Sequence, residues 1–226
     1  MITETLSIAG LRSIAVRHSV PKLNVIILHG YSMSPEDLAP FAHAIKTSAD
    51  FFLPCAPFKA TPQGYSWWPV DPVARAKRDG RDLANIYPEE RGASRQLLVS
   101  YCQSVRELNA ALPLLVCGFS QGGMLTCDAI LCDGLEVDGL ALLSASRIAF
   151  DEWQPKGARL RNRPILVSHG VHDRIVPFAA GEALRDFVIQ CGARVTWIPF
   201  DGEHQVPLQV WRALRSFCDK LGDSHV

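Results

Sequence analysis

LPLLVCGFSQGGMLTCDAI, residues 112–130, carries the most specific pattern in the chain. An apolar run climbs to Gly118, a polar Ser120 follows among three glycines, and an apolar helical pattern resumes behind it. A parallel strand that ends at Gly118 and enters a helix at Gly122 must turn within a few residues. Such a turn forces Ser120 into a strained backbone conformation and tolerates no Cβ at its flanks. The result is a hydroxyl held at the C-terminal edge of a sheet, where open α/β folds bind ligands. The helix behind it points its partial positive charge at that hydroxyl. Gly118-Phe119-Ser120-Gln121-Gly122 fits G-x-S-x-G, and its place between a strand and a helix separates a nucleophile elbow from an ordinary tight turn.

On either side, short apolar runs alternate with helix-period segments. LNVIILHG (23–30) is continuously apolar, as expected of a parallel strand covered on both faces. SPEDLAPFAHAIKT offers Ser34 as N-cap, Pro35 at the first helical position and acids in the first turn. FFLPCAP predicts a strand and ASRQLLVSYCQSVRELNA an amphipathic helix leading into LPLLVCGFS. Beyond it GLALLSAS, RPILVSHG and RVTWIPF read as strands. FAAGEALRDFVIQCG reads as a helix ending at Gly192, and VPLQVWRALRSFCDKLG as a closing helix. This alternation argues for a mostly parallel sheet with helices on both sides. TLSIAG and RSIAVRH are expected as an antiparallel edge hairpin.

The 226 residues suit one domain, and 48% hydrophobic content suffices for a large core. Twenty-three basic and twenty-three acidic residues cancel, which argues against nucleic acid as the partner. The N-terminus does not read as a signal peptide, and no apolar run approaches the ~20 residues that span a bilayer, so no integral membrane association is expected. Seven scattered cysteines without a C-x-x-C pair argue against a disulfide framework or a zinc ribbon and for a reducing cytoplasm.

A serine hydroxyl needs a base. Of seven histidines, His43 falls in a predicted surface helix, His18 near the edge hairpin and His225 in the tail. His204, in PFDGEHQVP, follows the last strand and reaches the same sheet edge as Ser120. The orienting carboxylate is Asp173 in VSHGVHDRIVP, which gives the chain order Ser, Asp, His. Asp201 and Glu203 share the loop of His204 and are expected to face solvent; His172 is read as a rim residue. The oxyanion hole should use the backbone N–H of Gln121 and of Tyr31, with Ser32 as fallback. His29, the last strand residue before Gly30, is read as a structural group that holds that loop.

With LHGYS, GFSQGG, HGVHDRIVP and DGEHQVP in this order, the chain resembles the α/β-hydrolase fold. More narrowly it resembles the phospholipase/carboxylesterase family, which includes the acyl-protein thioesterases and small bacterial carboxylesterases. The likeness runs from Val25 onward. It implies a single α/β-hydrolase domain over 1–226, with a mostly parallel central sheet and helices on both faces. The stretch at about 59–94, rich in Pro, Gly, charge and aromatics and too long for an idle connection, reads as a cap-like insertion beside a pocket, with a solvated insertion carrying a short helix as the alternative. Ser120, Asp173 and His204 match the family's triad, and Tyr31 and Gln121 its oxyanion positions. Family members commonly carry Trp-aromatic-Asp before the third helix; SWWPVD places Pro69 and Val70 before Asp71. The segment after it is unusual in length and charge, and the connection before LPLLVCGFS is shorter than typical.

The implied function is a serine carboxylic ester hydrolase of carboxylesterase or thioesterase type. It would form an acyl-enzyme on short- to medium-chain acyl esters and need no metal or organic cofactor. Its partner is then a small-molecule ester or thioester, and an exposed aromatic cap is compatible with a homodimer. Expected pocket walls are Tyr65, Trp67, Trp68, Phe119, Val176 and Phe178. Arg75, Lys77, Arg78 and Arg81 either meet an anionic leaving group or form a solvated face. The competing classes are a peptidase or other acyl-transfer enzyme using the same triad, and a non-catalytic binding protein on a hydrolase scaffold. The last should have lost a triad member, and all three residues are present.

Overall fold

The computed structural model describes residues 1–71, 73 and 82–224. Eight strands form its central sheet: β1 (Ile2–Ile8), β2 (Leu11–Arg17), β3 (Leu23–Leu28), β4 (Ala49–Pro54), β7 (Leu114–Phe119), β8 (Gly139–Leu143), β9 (Pro164–Gly170) and β10 (Arg194–Phe200). They lie side by side in the order β1-β2-β4-β3-β7-β8-β9-β10. From β4 to β10 neighbouring strands pair in parallel, while β1 and β2 are antiparallel to each other and β2 to β4. The hairpin β1–β2 turns through Ala9 and Gly10, both at positive φ, as a two-residue turn matching strand twist requires.

The central strands are buried on both faces because side chains of alternate parity enter two separate cores. Ile26 and Leu28 of β3 and Val116 of β7 join Leu98, Leu125 and Leu184 on one side. Val25, Ile27, Leu115 and Cys117 join Leu38, Val210 and Leu214 on the other. This is why the strands read as unbroken apolar runs. The helices contributing to the first layer are α2 (Arg91–Leu108), α3 (Gln121–Asp128), α4 (Phe150–Trp153) and α5 (Phe178–Gln190); α1 (Pro35–Ala44) and α6 (Leu208–Asp223) contribute to the second. Helix α1 starts as the sequence implied, with Pro35 at its first position and Asp37 Oδ2 accepting from Ser34 N at 2.7 Å and Ser34 Oγ at 3.0 Å. Helix α5 ends at Gln190 and the chain turns at Gly192, φ +83°.

The region expected as an insertion holds two strands too short to show a period, β5 (Phe58–Lys59) and β6 (Tyr65–Ser66), which pair antiparallel. Its far end lies earlier than the expected 94, because α2 begins at Arg91 and already contains Ser94. There Arg91 Nη1 and Arg95 Nη1 donate to Asp128 at 2.8 and 2.9 Å, and Trp153 Nε1 donates to it at 2.7 Å, tying α2, α3 and α4 together. Arg75, Lys77, Arg78, Arg81 and His225 lie outside the described residues. Among those described, no helix is long and apolar enough to cross a membrane.

Candidate active site

Strands β3 and β7 are neighbours, but the chain leaves β3 for β4 on one side and later continues from β7 to β8 on the other. Their C-terminal loops therefore diverge, and a crevice opens between them. Ser120 sits there at φ +51°, ψ −117°, a conformation costly for any residue with a Cβ. Close packing maintains it. A Cβ on Gly118 would stand 2.4 Å from Gly122 C and Gly123 N, and one on Gly122 2.6 Å from Leu28 O. Ser120 N–H donates to Leu143 O at 2.8 Å, while Ser120 O accepts from Gly123 and Met124, so the strained residue is tied into both β8 and α3.

Two further loops reach this edge. His204 Nε2 lies 2.9 Å from Ser120 Oγ, and His204 Nδ1 lies 2.6 Å from Asp173 Oδ2. A carboxylate only accepts, so Nδ1 carries a proton and Nε2 is left to receive one from the serine. The loops are stitched to each other by Val171 N–H to Phe200 O at 2.9 Å and His172 N–H to Gly202 O at 3.0 Å. Burial would raise the Asp173 carboxyl, but hydrogen bonds from His169, His204 and the Val176 N–H outweigh it and hold the group below the usual carboxylate range. Asp201 and Glu203 are exposed, and Asp201 pairs with His172 at 2.8 Å at the rim.

Gln121 opens α3, so its N–H is among those without an intrahelical acceptor and points out of the helix start beside Ser120. Tyr31 lines the same crevice. Ser32 does not suit the fallback role, because its N–H is committed to Tyr65 O at 2.9 Å. His29 holds the loop between them: its Nδ1–H donates to Gly30 O at 2.8 Å and its Nε2 accepts from Ala56 N–H at 3.1 Å. Burial keeps that imidazole neutral, lowering its pKa to about 4.

Beside Ser120 lies a cavity of about 120 Å³, bounded by Tyr31, Trp68, Val70, Leu83, Ile86 and Pro88 on one side and by Met124, Ile148, Ile175 and Val176 on the other. Of the six side chains expected as walls, Trp68 and Val176 are among these. The other four are drawn elsewhere. Trp67 is fully buried and donates through Nε1 to His29 O at 2.9 Å. Phe119 points into the second core layer and packs 5.0 Å from the His204 ring. Phe178 lies between His169 and Trp197, and Tyr65 carries Lys59 Nζ 4.1 Å above its ring. Of the walls missed, Val70, Leu83, Ile86, Pro88 and Ile148 come from segments with no catalytic motif, while Met124 and Ile175 sit within the elbow and HGVHDRIVP stretches, whose patterns do not mark them as lining.

A sequence profile for phospholipases/carboxylesterases matches residues 12–221. The chain belongs to the phospholipase/carboxylesterase family. Within it, the chain is similar to a probable carboxylesterase, SOBER1-like, of Arabidopsis thaliana, at 24% identity over 207 residues, covering 82% of this chain and 73% of that one. It is similar to acyl-protein thioesterase 1 of Neurospora crassa at 26% identity over 165 residues, 69% and 64% of the two chains. Acyl-protein thioesterase 2 of Zea mays has the same α/β-hydrolase fold, with a TM-score of 0.78 at 17% identity over 93% of this chain and 99% of that one.

The two tryptophans of SWWPVD are held against the elbow. The Gln121 side chain accepts from Trp67 N–H at 2.9 Å and donates to Trp68 O at 3.1 Å, and Ser94 Oγ donates to Trp67 O. The tryptophan pair is thus clamped to the residue after Ser120, and the chain emerging from it delivers Val70 to the cavity wall.

Proposed function

We propose that this chain is a serine carboxylic ester hydrolase of the carboxylesterase or thioesterase type, with Ser120 as nucleophile, His204 as general base and acid, and Asp173 as its orienting carboxylate. One observation carries the reading: an unbroken hydrogen-bonded line from Ser120 Oγ through His204 to Asp173, with a small apolar cavity beside the hydroxyl. His204 Nε2 takes the Ser120 proton as Oγ attacks the acyl carbonyl. The oxyanion develops toward the N–H groups of Gln121 and Tyr31. His204 returns the proton to the leaving alcohol or thiol, and water, deprotonated by the same imidazole, releases the acid from the acyl-enzyme.

The cavity is smaller than the roughly 300 Å³ at which drug-sized pockets begin, which favours short acyl chains among the short- to medium-chain esters expected. Seven cysteines without disulfides suit a reducing compartment. The test is labelling by a fluorophosphonate probe with and without Ser120→Ala, followed by p-nitrophenyl esters from acetyl to decanoyl beside a thioester and a lysophospholipid. Labelling of the parent, its loss in the variant and a fall in kcat of at least about 10³-fold are expected. Equal labelling of both proteins would refute the assignment.

A further inference from the structure

His169, the penultimate residue of β9, is fully buried. Its Nε2 lies 2.8 Å from Val176 O and 3.4 Å from Asp173 Oδ2. Both partners only accept, so Nε2 carries the proton and one N–H faces two acceptors. The other ring nitrogen, Nδ1, is buried without a hydrogen-bond partner. Helix α5 lies directly against it: a Cβ on Gly181 would stand 2.2 Å from Nδ1, and the Phe178 ring meets the imidazole edge-on at 6.3 Å. The helix therefore sets the plane of the ring, and Val176 O sets its tautomer.

The surroundings of Asp173 show what this does. Oδ1 accepts from Ile175 N–H at 2.9 Å and Val176 N–H at 2.8 Å. Oδ2 accepts from His204 Nδ1–H and faces His169 Nε2–H. A carboxylate offers about four acceptor sites; three N–H groups bond this one directly, and the His169 N–H, bonded to Val176 O, stands 3.4 Å from Oδ2. Val176 meanwhile gives its carbonyl to His169, its N–H to Asp173 and its side chain to the cavity. The other ionisable groups of the two loops, His172, Arg174, Asp201 and Glu203, are exposed.

We propose that His169 is a positioning residue for the reaction: its single N–H fixes the Asp173 carboxylate and the Val176 wall in one arrangement relative to His204, and Gly181 lacks a side chain so that the ring can seat there. The proposal rests on the Ser120 hydrolase reading and extends it. A histidine that only satisfied Val176 O would support the loop without affecting the His204–Asp173 bond, and that bond can be observed directly.

Three variants test it. His169→Gln keeps an N–H near the Nε2 position, His169→Leu removes it, and Gly181→Ala retains every polar group but displaces the ring. Each is measured for kcat per fluorophosphonate-labelled site, for KM on an acetyl ester, and for the downfield proton resonance of the His204–Asp173 bond. The Leu and Ala variants should lose about 10- to 100-fold in kcat per labelled site with KM within about threefold, and the resonance should shift or vanish. Gln should restore both to near the parent. The resonance reports the bond whether or not an ester is turned over, so a failed hydrolase reading appears separately, as an unlabelled parent. If His169→Leu does not fold, Gly181→Ala decides alone. Parental kcat per site with an unmoved resonance in either folded variant would overturn the proposal.

Discussion

Asp173 and His29 show how a few ångströms of environment determine what a side chain contributes. Asp173→Asn removes the acceptor that keeps the His204 proton on Nδ1, and an amide nitrogen there would favour the wrong tautomer. We expect kcat to fall on the order of 10⁴-fold with KM little changed, read from steady-state kinetics on an acetyl ester. His29 governs stability. Its folded pKa of about 4 lies below the 6.5 of a free imidazole, so between those values the unfolded chain binds a proton that the native state refuses. Stability is therefore lost as pH falls from 6.5 toward 4, by up to about 3 kcal/mol from this group. Urea unfolding across that window should show the slope, and His29→Asn should flatten it. Asp173 acts in a lower window: its depressed pKa stabilises the fold above the ordinary carboxylate range and that contribution fades as pH drops below it.

At the scale of elements, the turn from β7 into α3 is the part most fully legible in the chain. A hydroxyl set among glycines between a buried strand and a helix leaves little freedom in how the backbone can run. Gly118 and Gly122 are glycine because backbone occupies the space of their Cβ atoms. Gly118→Ala must move Gly122 or Gly123 backbone. We expect a loss of about 2–3 kcal/mol and a Tm lower by about 6 °C in a thermal scan, with Ser120 labelling reduced. Elements made of two residues were not legible. β5 and β6 are too short for any period; β6 is anchored by Tyr65 N–H to Met33 O at 2.8 Å and Ser32 N–H to Tyr65 O, long-range bonds that no local pattern announces, and β5 pairs with it. His169 opens the HGVHDRIVP motif, yet that motif does not announce its role, which depends on a helix that arrives afterwards in the chain.

Across the whole molecule, the cavity is assembled from parts distant in sequence: Tyr31 after β3, Trp68 and Val70 after β6, Ile86 and Pro88 ahead of α2, Met124 in α3, Ile148 after β8 and Val176 after β9. Met124→Ala should deepen it, moving the kcat/KM optimum toward longer acyl chains across the p-nitrophenyl ester series; an unchanged profile would place the acyl group elsewhere. The alternation of strand and helix, the elbow and the order of Ser120, Asp173 and His204 were legible in the chain, because buried runs, caps and tight turns are local consequences of burial and backbone sterics. Which aromatics line the cavity, that Trp67 and Phe119 turn to the core, and that His169 faces the acid became visible in three dimensions alone. Those outcomes depend on which surfaces meet when the sheet closes around its two cores, and side-chain hydrophobicity is the same whether its neighbour is a core or a substrate.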